Sequence, residues 1–117
     1  MGKISKNIGD SGESLAKQYL LEANYGILEQ NYHSKYGEID IIAMDDDTLV
    51  CVEVKNYSKS NYISVYNSIT KSKQRKIIKT TKKYLIDQSL DDIPVRFDVI
   101  FFEDGHFIEH IKGAFFV

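Results

Sequence analysis

Hydrophobic and polar positions alternate most clearly between Gly37 and Lys55, GEIDIIAMDDDTLVCVEVK. Ile39, Ile41 and Ala43 alternate with polar or larger residues, and Val50, Val52 and Val54 do so after the acidic run Asp45-Asp46-Asp47. Period-two alternation on both sides of a turn cluster predicts a β-hairpin. With Asp45 to Thr48 as a four-residue loop, Met44 faces Leu49, Ile42 faces Cys51, Asp40 faces Glu53 and Glu38 faces Lys55. Ile39, Ile41, Ala43, Val50, Val52 and Val54 then line one apolar face. The other face carries Glu38, Asp40, Glu53 and Lys55 at its far end.

Around this hairpin the periodicity changes to that of helices. Leu15, Tyr19 and Ala23, with Ala16 and Leu20, form an apolar stripe at helical spacing. Asp10 or Ser11 serves as the expected cap, Gly26 as the terminator, and residues 1–8 as a flexible basic lead. Glu13 falls in the first turn of that helix, where the dipole or Lys17 accounts for it. Ile27 to Tyr32 reads as a strand and His33 to Tyr36 as a polar connection. Residues 56–67 lack clean periodicity and read as a mobile loop. A long helix is expected from about Val65 or Ser68 to Asp87, with Ile69, Ile77, Ile78, Thr81, Tyr84 and Leu85 inward. Val95 to Glu103 is a strand rich in β formers, Asp104-Gly105 a hairpin turn, and His106 to Ile111 the returning strand. The order is α-β-β-β-α-β-β, and a helix on each face of a mixed sheet makes a three-layer α/β/α sandwich.

Composition narrows the class. The chain has 117 residues, 43% of them hydrophobic and 27% charged, as expected of one ordinary globular domain. The longest apolar runs fall short of a membrane span, and the start lacks a stretch of signal-peptide length, so no membrane association and a cytoplasmic location are expected. The single cysteine, Cys51, precludes an internal disulfide and reads as a small buried hydrophobe. His106 and His110 stand roughly 13 Å apart along one strand, too far to chelate one ion.

Charge is distributed unevenly. Of 15 basic residues, Lys71, Lys73, Arg75, Lys76, Lys79, Lys82 and Lys83 fall in one stretch without an acidic residue. This is a solvated helix face or a phosphate-binding one, and the lack of interleaved carboxylates favours phosphate.

The candidate chemistry lies at the far end of the hairpin. Opposed strand residues have Cβ atoms roughly 5 Å apart, and like charges there destabilise a sheet. Asp40 and Glu53 would shift each other's pKa or capture a hard divalent cation, with Lys55 beside it to support developing negative charge. The alternative is a solvated strand face on which Lys55 pairs with Glu38 or Glu53.

The element order and these residues resemble the PD-(D/E)-x-K nuclease superfamily, which has the restriction-endonuclease-like fold. Within it the resemblance is to the YraN-like bacterial proteins, regarded as distant relatives of archaeal Holliday-junction resolvases. It is carried by Gly9, Gly12-Glu13, Ala16, Tyr19-Leu20, Asn31, Gly37-Glu38-Ile39-Asp40, Val52-Glu53-Val54-Lys55, Lys73-Gln74, Arg96-Phe97-Asp98-Val99, His110-Ile111 and Ala114-Phe115. His33 and Tyr57 stand where relatives frequently have arginine, and Gly113 where they often have asparagine.

The resemblance implies a Mg²⁺- or Mn²⁺-dependent DNA endonuclease, with branched DNA among its candidate substrates. Asp40, Glu53 and the Val54 carbonyl would bind metal, and Lys55 would be catalytic. Glu13 would approach from the first helix and Gln74 would border the site, while the hairpin register, more than the family, places Glu38 where it would hold Lys55. Lys71, Lys73, Arg75, Lys76 and Lys79 would bind DNA. A homodimer is an open option, since a junction resolvase cuts two strands. The competing expectation is a nucleic-acid-binding adaptor of the same fold with little or no catalysis.

Overall fold

A computed structural model describes residues 3–58 and 69–116, with side chains from residue 12 onward. The elements are α1 (Lys3–Glu22), β1 (Gly26–Ser34), β2 (Gly37–Asp45), β3 (Thr48–Tyr57), α2 (Lys71–Asp87), β4 (Val95–Glu103) and β5 (His106–Phe115). The fold is α/β, with two helices and a five-stranded mixed sheet in the order β1-β2-β3-β4-β5. Only β3 and β4 pair in parallel; the other neighbours are antiparallel. Parallel strands need a crossover connection, and α2 lies within it.

The helices pack against opposite sides of the sheet. Ala16 and Leu20 of α1 join Ile41, Ala43, Val50, Val52, Ile100 and Phe102 in one core cluster. Ile77 and Tyr84 of α2 join Ile42, Leu49, Cys51, Phe97 and Phe115 in another. Close backbone approach sets both helices. A Cβ on Gly12 would come 3.1 Å from the Cβ of Asn56, and one on Gly37 would come 3.3 Å from the Cβ of Lys76.

The hairpin has the expected register, Met44 opposite Leu49 and Ile42 opposite Cys51. Asp45 also pairs with Thr48, so the connection is only Asp46-Asp47, with Asp46 at φ +54°. At the other end the ladder stops at Ile41 and Val52, before Asp40 and Glu53. Beyond that point Ile39 leaves the face of Ile41 and Ala43 and joins Tyr32 in the α2-side cluster, contrary to the single apolar face expected.

Several boundaries also move. Helix α1 begins at Lys3, not at a cap on Asp10 or Ser11 after a flexible lead. Its end is a Schellman motif with Asn24 at φ +69°, not Gly26. Tyr25 N–H donates to Leu20 O at 2.9 Å and Asn24 N–H to Leu21 O at 3.0 Å, while Tyr25 and Leu20 pack together in the core. Gly26 starts β1 instead.

Strand β3 runs through Asn56 and Tyr57, the first part of the expected loop. Parallel pairing with β4 continues to Tyr57 and Glu103, Asp104 N–H donates to Tyr57 O at 2.8 Å, and Gly105 N–H donates to Asn56 Oδ1 at 3.2 Å. Residues 59–67 of that loop, with the expected helix starts at Val65 and Ser68, lie outside the described residues. Helix α2 begins at Lys71 because Thr70 caps it, its side chain accepting from Lys73 N–H at 3.2 Å. Strand β5 extends past Ile111 to Phe115, which stacks on Phe97 with ring centroids 4.8 Å apart.

Candidate active site

Past the Ile41–Val52 pair, strands β2 and β3 stop sharing ladder bonds, and the freed backbone groups need partners. Asp40 supplies one: its Oδ2 accepts the Val54 N–H at 2.8 Å. The Asp40 N–H in turn faces the Glu53 carboxylate. Two acidic side chains thus meet where the sheet opens, each next to the other's backbone. The N–H and C=O of one extended residue point to the same strand edge, so the Val54 carbonyl faces this gap as well.

Burial governs the electrostatics. It pushes the Glu53 carboxyl up to about 8, with the Asp40 charge adding and Lys55 opposing. Asp40 is also raised by burial, against the Val54 N–H and Lys55. The Asp40 charge beside it disfavours ionisation of Glu53, as expected of two carboxyls in close approach. One oxygen of the pair is left over, because Glu53 Oε1 is buried and makes no hydrogen bond. Lys55 is lowered by burial first and by the neighbouring Lys73 ammonium second, with Glu53 and Asp40 opposing. Lys73 thus reaches the site from the first turn of α2.

The donor set fits a hard divalent cation. Asp40 and Glu53 supply carboxylate oxygens, one of them unpartnered, and the Val54 carbonyl lies on the same edge. Mg²⁺ needs only one or two carboxylates when water and substrate phosphate complete its shell. Among the described residues, no group of three or more His, Cys, Asp and Glu side chains is positioned to hold a metal ion. Glu13 lies on α1, which packs against the side of the sheet opposite to α2.

Two other expected neighbours are engaged elsewhere. Glu38 does not hold Lys55: its carboxylate lies 3.1 Å from His33 Nδ1, its partner across β1 and β2. The Lys55 contact required the hairpin ladder to continue, and it does not. Gln74 donates its side-chain amide to Ile69 O at 3.2 Å and so braces the entry to α2. Lys71, Lys73, Arg75, Lys76 and Lys79 are all exposed along α2, as are Lys82 and Lys83. Lys83 pairs with Asp87 at 2.7 Å. Lys79 lies over the Tyr36 ring, 6.0 Å from its centroid, and Lys35 lies 5.2 Å from it.

A second polar cluster gave no role in the sequence. Asp98, on β4, is fully buried and accepts from Arg96 Nε at 2.9 Å, Arg96 Nη2 at 3.0 Å and Gly113 N–H at 3.1 Å. His110 Nε2 lies 2.7 Å from it, and the Tyr19 hydroxyl 3.0 Å from His110 Nδ1. Arg96 continues to Asp45 at 3.0 Å and to the Tyr25 hydroxyl at 2.9 Å. Burial would raise the Asp98 pKa, but the bonds from His110, Arg96 and Gly113 outweigh it and hold it low. With every Asp98 contact satisfied, the cluster ties α1, β4 and β5 together structurally. Its signal in the sequence was Arg96 and Asp98 sharing one face of a strand otherwise fit for burial.

Residues 12–102 match the Uncharacterised protein family UPF0102. A UPF0102 protein of Clostridium beijerinckii is 45% identical over 120 aligned positions, covering 98% of each chain. One from Persephonella marina is 45% identical over 107, covering 92% of this chain and 91% of its own. One from Vibrio parahaemolyticus is 44% identical and covers 97% of each. The chain belongs to the UPF0102 family, the YraN-like proteins whose pattern its sequence resembles.

Proposed function

We propose that this protein is a metal-dependent DNA endonuclease of the PD-(D/E)-x-K type, with Asp40 and Glu53 as metal ligands and Lys55 as a catalytic residue. The observation that carries this reading is the half-buried Asp40–Glu53 pair, with Glu53 Oε1 buried and unpartnered and an ammonium group alongside. A structural salt bridge would not leave a buried oxygen orphaned. The three-layer, restriction-endonuclease-like form of the fold is part of the same proposal, supported by the element order and by helices on opposite sides of the sheet.

Mg²⁺ or Mn²⁺, when bound, supplies Lewis-acid polarisation of a phosphate oxygen and a lowered pKa for an attacking water. The chain's own residues do the rest. Asp40 and Glu53, with the Val54 carbonyl, fix the cation at the sheet opening. Lys55 donates to a non-bridging phosphate oxygen, and burial makes that charge-assisted contact stronger than on an open surface. Lys73 adds a second cation beside it. The remaining bases of α2 hold flanking phosphates without reading sequence. Glu13 and Glu38 have no part in this assignment.

The test is cleavage of linear, single-stranded and four-way-junction DNA with Mg²⁺ or Mn²⁺, comparing wild type with Lys55→Ala and Glu53→Ala. Loss of cleavage in both variants and in EDTA is expected. Cleavage that persists in both would refute the assignment.

A second reading is a nucleic-acid-binding module without catalysis. It is favoured by the exposed basic face of α2 and by the grouping of only two carboxylates. Salt-sensitive DNA binding, unchanged in Lys55→Ala and unaccompanied by cleavage on any substrate, would select it.

A further inference from the structure

A groove of about 340 Å³ lies away from the carboxylates, lined by Tyr36, Lys79, Lys82, Lys83 and Ile86. Tyr36 occupies the turn between β1 and β2 and is 38% exposed, while Ile86 is 75% exposed. The ammonium groups of Lys35 and Lys79 lie over the Tyr36 ring, and Ile86 adds an aliphatic wall to the groove. A base that displaces these two long side chains from the ring gains a flat apolar seat, with both ammonium groups left free for the phosphates beside it.

We propose that this groove holds an unpaired nucleobase, so that the substrate carries a single-stranded segment leading away from the carboxylate site. The inference rests on the nucleic-acid reading above and narrows it. Stacking on an aromatic ring while lysines hold adjacent phosphates is how single strands are bound without sequence preference. A base inside a duplex has its faces covered by its neighbours and cannot offer one to Tyr36. Bare phosphate would have no use for Tyr36 or Ile86.

The placement relative to the carboxylates agrees. Tyr36 precedes Asp40 by four residues on the chain entering β2, about 13 Å at strand rise. Lys73, beside Lys55, and Lys83, at the groove, are ten residues apart on α2, about 15 Å along the helix. A stacked strand rising about 3.4 Å per nucleotide covers that span in four to five nucleotides. Lys76 and Lys79 lie between as exposed cations.

The experiment is fluorescence anisotropy of the full-length protein in EDTA, where metal-dependent cleavage cannot occur. The probes are a labelled twelve-nucleotide thymidine strand, an abasic strand of equal length and charge, and a duplex. The base-bearing strand should bind at least tenfold more tightly than the abasic one. Tyr36→Ala should lose about 10- to 100-fold in affinity for it without changing the salt dependence, and Tyr36→Phe should retain binding. Lys79→Ala should instead lower the salt slope by about one. Equal binding of abasic and base-bearing strands, or full affinity in Tyr36→Ala, would overturn the proposal. Because no metal is present, inactivity as a nuclease leaves this result intact, and an active nuclease indifferent to Tyr36 defeats only this inference.

Discussion

The Asp40 carboxylate accepts the backbone N–H of Val54 at 2.8 Å, occupying the place where the next rung of the β2–β3 ladder would form. That bond satisfies a backbone donor that the β2–β3 ladder, which stops at Ile41 and Val52, leaves free. It also explains why two acids tolerate each other there: each is bonded to, or faces, the other's strand.

Metal should therefore stabilise the fold. A ligand that binds only the native state at a hundredfold excess over its Kd adds about 2.7 kcal/mol, so saturating Mg²⁺ or Mn²⁺ should raise the Tm by several degrees. Asp40→Asn and Glu53→Ala should abolish the rise. A melting curve indifferent to both cations would remove the metal assignment.

Without metal, stability should fall as pH rises. The Glu53 pKa is raised from an ordinary 4.5 to about 8, so between these values the folded protein keeps a proton that the unfolded chain has lost. This contribution is complete below about pH 4.5 and gone above about 8. The slope for one proton reaches at most about 1.4 kcal/mol per pH unit. Urea titrations from pH 5.5 to 8.5 in EDTA should show it, and Glu53→Gln should flatten it. A wild-type profile rising with pH in this window would contradict the geometry.

The Asp98 cluster should matter to folding more than any exposed ion pair on α2. Removing one partner from a buried charge network costs about 3–5 kcal/mol, so Asp98→Ala should lose that much in equilibrium denaturation. Lys83→Ala, which breaks an exposed pair with Asp87, should cost far less. Similar losses in the two variants would show that Asp98 is not the structural hub its contacts suggest. Its pH dependence runs opposite to that of Glu53: its depressed pKa gives stability that is lost as pH falls through the folded value.

Cys51 should be chemically silent in the native state. Burial pushes its thiol up to about 12 despite the Thr81 hydroxyl 3.3 Å away. Iodoacetamide at pH 8 should modify it only as fast as the protein unfolds, and rapid labelling of the native protein would show that α2 does not cover β3 as described.

Local pattern revealed the middle of the structure better than its ends. Ile42 opposite Cys51 was legible because alternation around a short turn sets register without distant information. The route of Ile39 into the α2-side core was not, since it follows from the ladder stopping at Ile41. Asn56 and Tyr57 resembled loop residues because their partners, Gly105 and the chain around β4, lie nearly fifty positions away. Asn24 was hidden behind Gly26, the better helix terminator by composition. At the candidate site, Asp40, Glu53 and Lys55 could be grouped from spacing alone. The second cation from Lys73, the diversion of Glu38 to His33, and the Tyr19–His110–Asp98 chain all required tertiary packing.

The two rims of the sheet carry one more consequence. Strand β1 shifts register between Ile27 and Glu29 and bends again at Asn31, φ +52°. Strand β5 faces register shifts at two places along β4 and turns at Gly113, φ +66°. Crooked rims make poor templates for a neighbour's strand. A second copy, if this protein works in pairs, would have to meet it through helix or turn surfaces, leaving the sheets of the two molecules unjoined.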